Sequence, residues 1–193
     1  MDEDMAEVAE DQELETETNT DDPWAFVRAH YSETKQLTEE ETDKIADLAV
    51  GYLREILGFF GETQSSIDEY DGDDGELILD INGDNLAVLI GRHGRTLDAL
   101  QMVLSSLMSS KLKFYYPISV DIEGYKSRRK NKVQGMARSA ASRAKRQGGA
   151  VSLAPMNAYE RRLVHLALAD DDQVTTHSEG EEPERRVVIT AIK

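Results

Sequence analysis

Ile45, Leu48, Ala49, Tyr52, Leu53, Ile56 and Leu57 recur three and four positions apart and form one apolar helical stripe. Thr38-Glu39-Glu40-Glu41 before it fits a capping box, and Gly58 or Gly61 ends it. Two short strands follow, about Ser65 to Tyr70 and Glu76 to Ile81, with turn chemistry in Asp71-Gly72-Asp73-Asp74-Gly75 between them. Asn85 to Ile90 is short and apolar, with Asp84 and Asn85 as cap candidates. Thr96, Leu97, Leu100, Val103, Leu104, Leu107 and Met108 predict a second amphipathic helix, and Ile118, Val120 and Ile122 alternate as in a strand over Tyr116 to Glu123. The order is α-β-β-α-α-β.

The pattern then changes. From Gly124 to about Gln147 the spacing predicts one long helix with a narrow, small-residue apolar face of Val133, Met136, Ala137, Ala140, Ala141 and Ala144. Gly148-Gly149 stops it, and Pro155-Met156-Asn157 opens another helix with Tyr159, Leu163, Leu166 and Ala167 as its expected core. A strand around Gln173 to His177, a turn at Glu179 to Pro183 and a strand from Arg185 to Ile192 close the chain. The expected class is α+β: residues 1–37 a disordered acidic tail and linker, 38–123 one domain, and 124–193 a second that includes the long helix.

Charge sharpens this division. The chain has a formal net charge of -16, but 11 of its 38 acidic residues fall within residues 1–22, leaving 27 acidic against 22 basic side chains beyond them. Such a tail cannot bury enough apolar surface to offset ordering entropy. Between Gly124 and Gly149 stand nine basic residues and no acidic one: Lys126, Arg128, Arg129, Lys130, Lys132, Arg138, Arg143, Lys145 and Arg146. That run is either a solvated helical face or a phosphate-contacting one. Asp22-Pro23-Trp24-Ala25-Phe26 could start a short helix, its aromatics docking on a partner or resting on their own chain. No cysteine is present, which excludes disulfides and thiolate chemistry. No secretory signal and no run of 18 apolar residues stands out, so the expectation is a cytosolic protein without membrane insertion.

Candidate chemistry concentrates in two places. Gly91-Arg92-His93-Gly94-Arg95 joins two helices, and its glycines permit a tight turn and close approach. Amides at the following helix N-terminus suit a nucleic-acid backbone, although many helix-helix turns also carry two glycines. Arg161 and His165 lie at i and i+4, one face of one helix, and either present two donors together or form a packed polar pair. His30, His93, His165 and His177 lack ligand spacing, and no nucleophile stands in register with His165, so no metal, cofactor or catalysis is expected. Asp170-Asp171-Asp172 is a cation candidate or a polar helix end.

The α-β-β-α-α-β order around Gly91-Arg92-His93-Gly94 resembles a KH domain of the prokaryotic topology. Asn157 to His165, with Arg161 and His165 in an R-x-x-x-H pattern, followed by Ser178 to Ile189, resembles an R-3-H domain. That pairing, in that order, is similar to the bacterial Jag (SpoIIIJ-associated, KhpB) family, over roughly residues 38 to 193. The resemblance implies a cytoplasmic single-stranded RNA-binding protein, an RNA chaperone linked to cell-wall synthesis and cell shape, partnered by a small single-KH protein. It implies RNA contacts at Gly91, Arg92, His93, Gly94 and Arg95, with bases on a groove of Ile90, Leu97 and strand residues. The basic run and the R-3-H segment extend the candidate RNA contacts to Lys126, Arg128, Arg129, Lys130, Arg161, His165 and Arg185. In many relatives a folded domain stands where this chain has its acidic tail. The rival class is an adaptor of the cell-elongation machinery that holds protein partners and contacts RNA little.

Overall fold

The computed structural model describes residues 22–72 and 75–192, so the reading of the tail and the centre of the Asp71–Gly75 turn lie outside the described residues. The chain divides into two compact units at Leu37/Thr38. In the first, helix α1 spans Ala25–Thr34 and ends where Lys35 takes a left-handed conformation. The N-cap position of α1 is Trp24, without a side-chain cap, and Asp22 lies two residues before it. The Asp22 carboxylate accepts the Trp24 amide at 2.9 Å and pairs with Arg28 at 2.7 Å. The two aromatics part ways: Trp24 is buried, whereas Phe26 is 77% exposed.

The second unit opens with α2, Glu39–Phe59. The capping box is complete: the Glu41 amide donates to the Thr38 hydroxyl at 3.3 Å, and the Thr38 amide donates to the Glu41 carboxylate at 2.9 Å. Ile45, Ala49, Leu53 and Leu57 are buried along its stripe, while Leu48, Tyr52 and Ile56 are half-buried on the flanks. Strands β1 (Ser66–Asp71), β2 (Leu77–Asn82) and β3 (Ile118–Ile122) form a sheet in that order. The first pair is antiparallel and the second parallel. A parallel pair needs a long crossover, and α3 (Ala87–Ile90) and α4 (Arg95–Leu112) supply it. Leu77, Leu79 and Ile81 stand in register with Ile118, Val120 and Ile122, all six buried, so period-2 alternation on both strands builds one core face.

Helix α5 (Tyr125–Gln147) leaves β3 through Gly124, which is left-handed, and its small-residue face enters a second core. There Ala137, Ala140, Ala141 and Ala144 meet Leu163 and Val164 of α6 (Ala158–Ala167) together with Val187 and Ile189. Alanines allow the two helices to approach closely. The second sheet runs β4 (Ala150–Ser152), β6 (Arg186–Ala191), β5 (Val174–Glu179), antiparallel throughout. Strand β4 is absent from the sequence reading, since three residues carry no measurable alternation and only the free edge of β6 makes them a strand. Two further expectations fail. Asp84 and Asn85 do not cap α3, whose first turn has no side-chain cap. Tyr159 and Leu166, expected in the core, are 61% and 59% exposed, because α6 buries the face carrying Glu160, Leu163 and Val164 instead.

Candidate nucleic-acid interface

The loop between α3 and α4 is built on three positive φ angles. Gly91 has φ 68° and ψ -171°, a region essentially reserved for glycine. A Cβ there would also collide with the Thr96 hydroxyl, which folds back onto the loop. His93 (φ 61°) and Gly94 (φ 85°) are left-handed, and a Cβ on Gly94 would lie 2.9 Å from the Tyr125 ring. The two glycines thus let Thr96 close on one side and the first residue of α5 on the other. Arg92 and Arg95 project as exposed side chains, and His93 is half-buried. Burial, and after it the Arg129 guanidinium, lowers the His93 pKa from its ordinary value, with Arg92 and Arg95 adding to the effect.

Beside the loop lies a cavity of about 430 Å³ whose walls come from α4, α5 and α6: His93, Gly94 and Leu97 face Tyr125, Arg129 and Lys130, with Tyr159 and Glu160 across from them. Leu97 is among its lining residues, whereas Ile90 and the strand residues are not. Glu160, only 3% exposed, binds Arg129 Nε through Oε1 at 2.6 Å, and its own amide donates to Asn157 Oδ1 at 2.8 Å, capping α6.

The nine basic residues of α5 divide by role. The Lys126 ammonium is tied to Gln101 Oε1 at 2.5 Å and Ser119 Oγ at 2.9 Å, and burial lowers its pKa against the opposing pull of Asp121 and Asp98. Arg128 donates to the Glu123 carbonyl. Lys145 pairs with Asp171 at 2.6 Å, and that hydrogen bond lowers the Asp171 pKa. Lys130, Lys132, Arg138, Arg143 and Arg146 are exposed. So α5 fastens itself to its surroundings through four cations and offers five to solvent.

Arg161 and His165 share one face of α6, as the i, i+4 spacing requires. Arg161 is held by Glu182 of the β5–β6 turn at 2.8 Å. Both His165 ring nitrogens meet hydroxyls of β5, Nδ1 with Thr176 Oγ1 at 2.6 Å and Nε2 with Ser178 Oγ at 3.1 Å. Burial lowers the His165 pKa first, followed by Arg161 and His177. Arg185 is exposed just before β6. The structure thus gathers His93, Gly94, Lys126, Arg129 and Lys130 on one cavity, while Arg161 and His165 line the α6–β5 face instead. Sequence reasoning missed Glu160, Tyr125 and Gln101. A lone acid in the first turn of a basic helix was the signal available for Glu160.

Residues 47–122 match the KH domain of KhpA and KhpB, and residues 131–191 match the R-3-H domain. A protein of Clostridium symbiosum named RNA-binding protein KhpB is 36% identical over 166 residues, covering 86% of this chain and 70% of the relative. Proteins of the same name from Lactiplantibacillus plantarum and Bacillus subtilis are 35% and 31% identical over 144 and 112 residues. Those alignments cover 74% and 57% of this chain, and 44% and 54% of the relatives' own length. Two domain matches in this order, together spanning well over half of the chain, place it: the chain belongs to the KhpB (Jag) family, a KhpA/KhpB-type KH domain followed by an R-3-H domain.

Proposed function

We propose that this chain binds single-stranded RNA without catalysis, with a KH domain over residues 38–123 and an R-3-H domain over 124–193. The observation that carries this reading is the loop itself. Gly91 and Gly94 hold backbone conformations that keep side chains out, and Arg92 and Arg95 stand exposed on either side of His93. Donors and cations without a bulky screen suit a phosphodiester strand. Gly91, Arg92, His93, Gly94 and Arg95 bind backbone phosphates; Arg129 and Lys130 stand beside them, and Lys126 and Arg128 steady the start of α5. Arg161, His165 and Arg185 form a second contact region. By family resemblance the cellular role is that of a cytoplasmic RNA chaperone or post-transcriptional regulator tied to cell-wall homeostasis and cell shape.

One observation favours a protein partner as well. Val103 and Leu107 share a face of α4, were expected in its apolar stripe, and are 50% and 40% exposed, with Met102 at 70% beside them. A second KH domain, such as the small single-KH protein of the family, fits such a strip. The RNA reading is tested by replacing Arg92 and His93 with Asp. Aspartate tolerates the left-handed backbone at position 93, so the melting temperature should hold. Affinity for single-stranded RNA should fall at least tenfold, about 1.4 kcal/mol. Unaltered affinity would reduce the loop to a structural turn.

A further inference from the structure

Phosphate binding needs donors, yet the cavity beside the loop presents a buried acceptor. Glu160 is 3% exposed; Oε1 takes the Arg129 Nε hydrogen, and Oε2 has no hydrogen-bond partner among the described residues. A carboxylate oxygen left unpaired in a buried site is costly, so such groups mark positions where a ligand donor completes the set. Phosphate is repelled there. The Arg129 bond uses Nε alone of three guanidinium nitrogens, so a donor group stands next to the acceptor. Leu97, Tyr125, Tyr159 and Leu163 add apolar and aromatic wall, and the volume of about 430 Å³ lies in the range of small-ligand pockets.

Among groups on an RNA strand, bases combine flatness with neutral donors. Uracil offers one N–H between two carbonyl oxygens, which a carboxylate repels. Adenine and cytosine offer an amino group next to a ring-nitrogen acceptor. Guanine alone offers two adjacent donors, N1–H and the N2 amino group, with the O6 acceptor beside them. We propose that this cavity holds one guanine of the bound strand, with Glu160 accepting from N1–H and N2–H and Arg129 donating to O6. The proposal rests on the RNA-binding reading above and adds a base preference to it. The flanking phosphates then run past Arg92, Arg95 and Lys130, all exposed.

The test uses the full chain and short uridine tracts carrying one central guanosine, inosine, adenosine or cytidine, compared with uridine throughout. The guanosine tract should bind about tenfold tighter than the all-uridine one, as expected of a good bidentate base contact. Inosine lacks only the N2 amino group and should lose a measurable part of that gain. Glu160→Gln should bring guanosine to within about twofold of uridine; a general gain in affinity from the lost charge appears equally on both tracts. Equal binding of guanosine and uridine by the wild-type protein, inosine as good as guanosine, or a folded Glu160→Gln protein that keeps the preference each overturns the proposal. Should Glu160→Gln fail to fold, the inosine comparison decides, since it leaves the protein unchanged. Failure of every tract to bind would overturn the RNA reading too, whereas binding without preference removes only this inference.

Discussion

Arg161 faces a competitor for any phosphate: the Glu182 carboxylate, itself 58% exposed, already holds its guanidinium. Arg161 is only 11% exposed, so the pair is open on the Glu182 side alone, and it is from there that a polyanion can displace the carboxylate. Arg161→Ala should therefore lower the slope of log affinity against log salt by about 0.7, the share of one single-strand phosphate. Glu182→Gln should tighten binding at low salt by freeing the cation. An unchanged slope in Arg161→Ala combined with lost thermal stability would assign Arg161 to packing instead.

His165 makes a prediction of its own. Burial and its cationic neighbours depress its pKa in the folded protein, so over the window from the ordinary value near 6.5 downward the unfolded chain binds the proton and the folded one does not. Stability due to the neutral imidazole is present above that window and declines as the pH falls through it. Denaturant titrations at about pH 7.5 and about pH 5.5 should show the wild-type advantage over His165→Gln shrinking on acidification. A constant difference would mean that the ring gains nothing from staying neutral.

At the scale of elements, α5 shows what a narrow face of small residues accomplishes. Ala137, Ala140 and Ala144 are fully buried against the second core, so the helix axis sits close to its neighbours with no room for longer side chains. Ala140→Leu should overpack this contact and cost about 1–3 kcal/mol, seen as a lower melting temperature. A variant as stable as wild type would show that α5 and α6 can move apart freely. In the sequence the same helix reads as a charge run, either a solvated face or a phosphate-contacting one. Its partners on Gln101, Glu123, Glu160 and Asp171 appear only once it is folded against them.

At the scale of the molecule, charge separation dominates. Residues 1–21 hold ten acidic side chains and no basic one, while α5 leaves Lys130, Lys132, Arg138, Arg143 and Arg146 exposed. A tethered polyanion competes with RNA for such cations at low ionic strength and is screened at high. Deleting residues 1–21 should raise RNA affinity at low salt and leave it unchanged at high salt, checked by fluorescence anisotropy across a salt series. Identical affinity at low salt would leave the acidic run as a solubility feature.

What the sequence determined by itself is local. The stripe from Ile45 to Leu57, the Thr38–Glu41 box, the alternation of Ile118, Val120 and Ile122, and the glycine turn at residues 91–94 all follow from interactions within a few residues, and the fold contains each of them. What tertiary structure decided is which face each element turns inward and which distant group completes each polar side chain. Tyr159 and Leu166 have the spacing of core residues but lie outside, and Val103 and Leu107 remain open on α4. Strand β4 exists because β6 had an edge to offer. Glu160 meets Arg129 across 31 positions, and His165 meets Thr176 and Ser178 across 11 and 13. Periodicity cannot encode such pairs, because it records only which residues share a face of one element. The cavity that three helices enclose comes into being only when those faces meet.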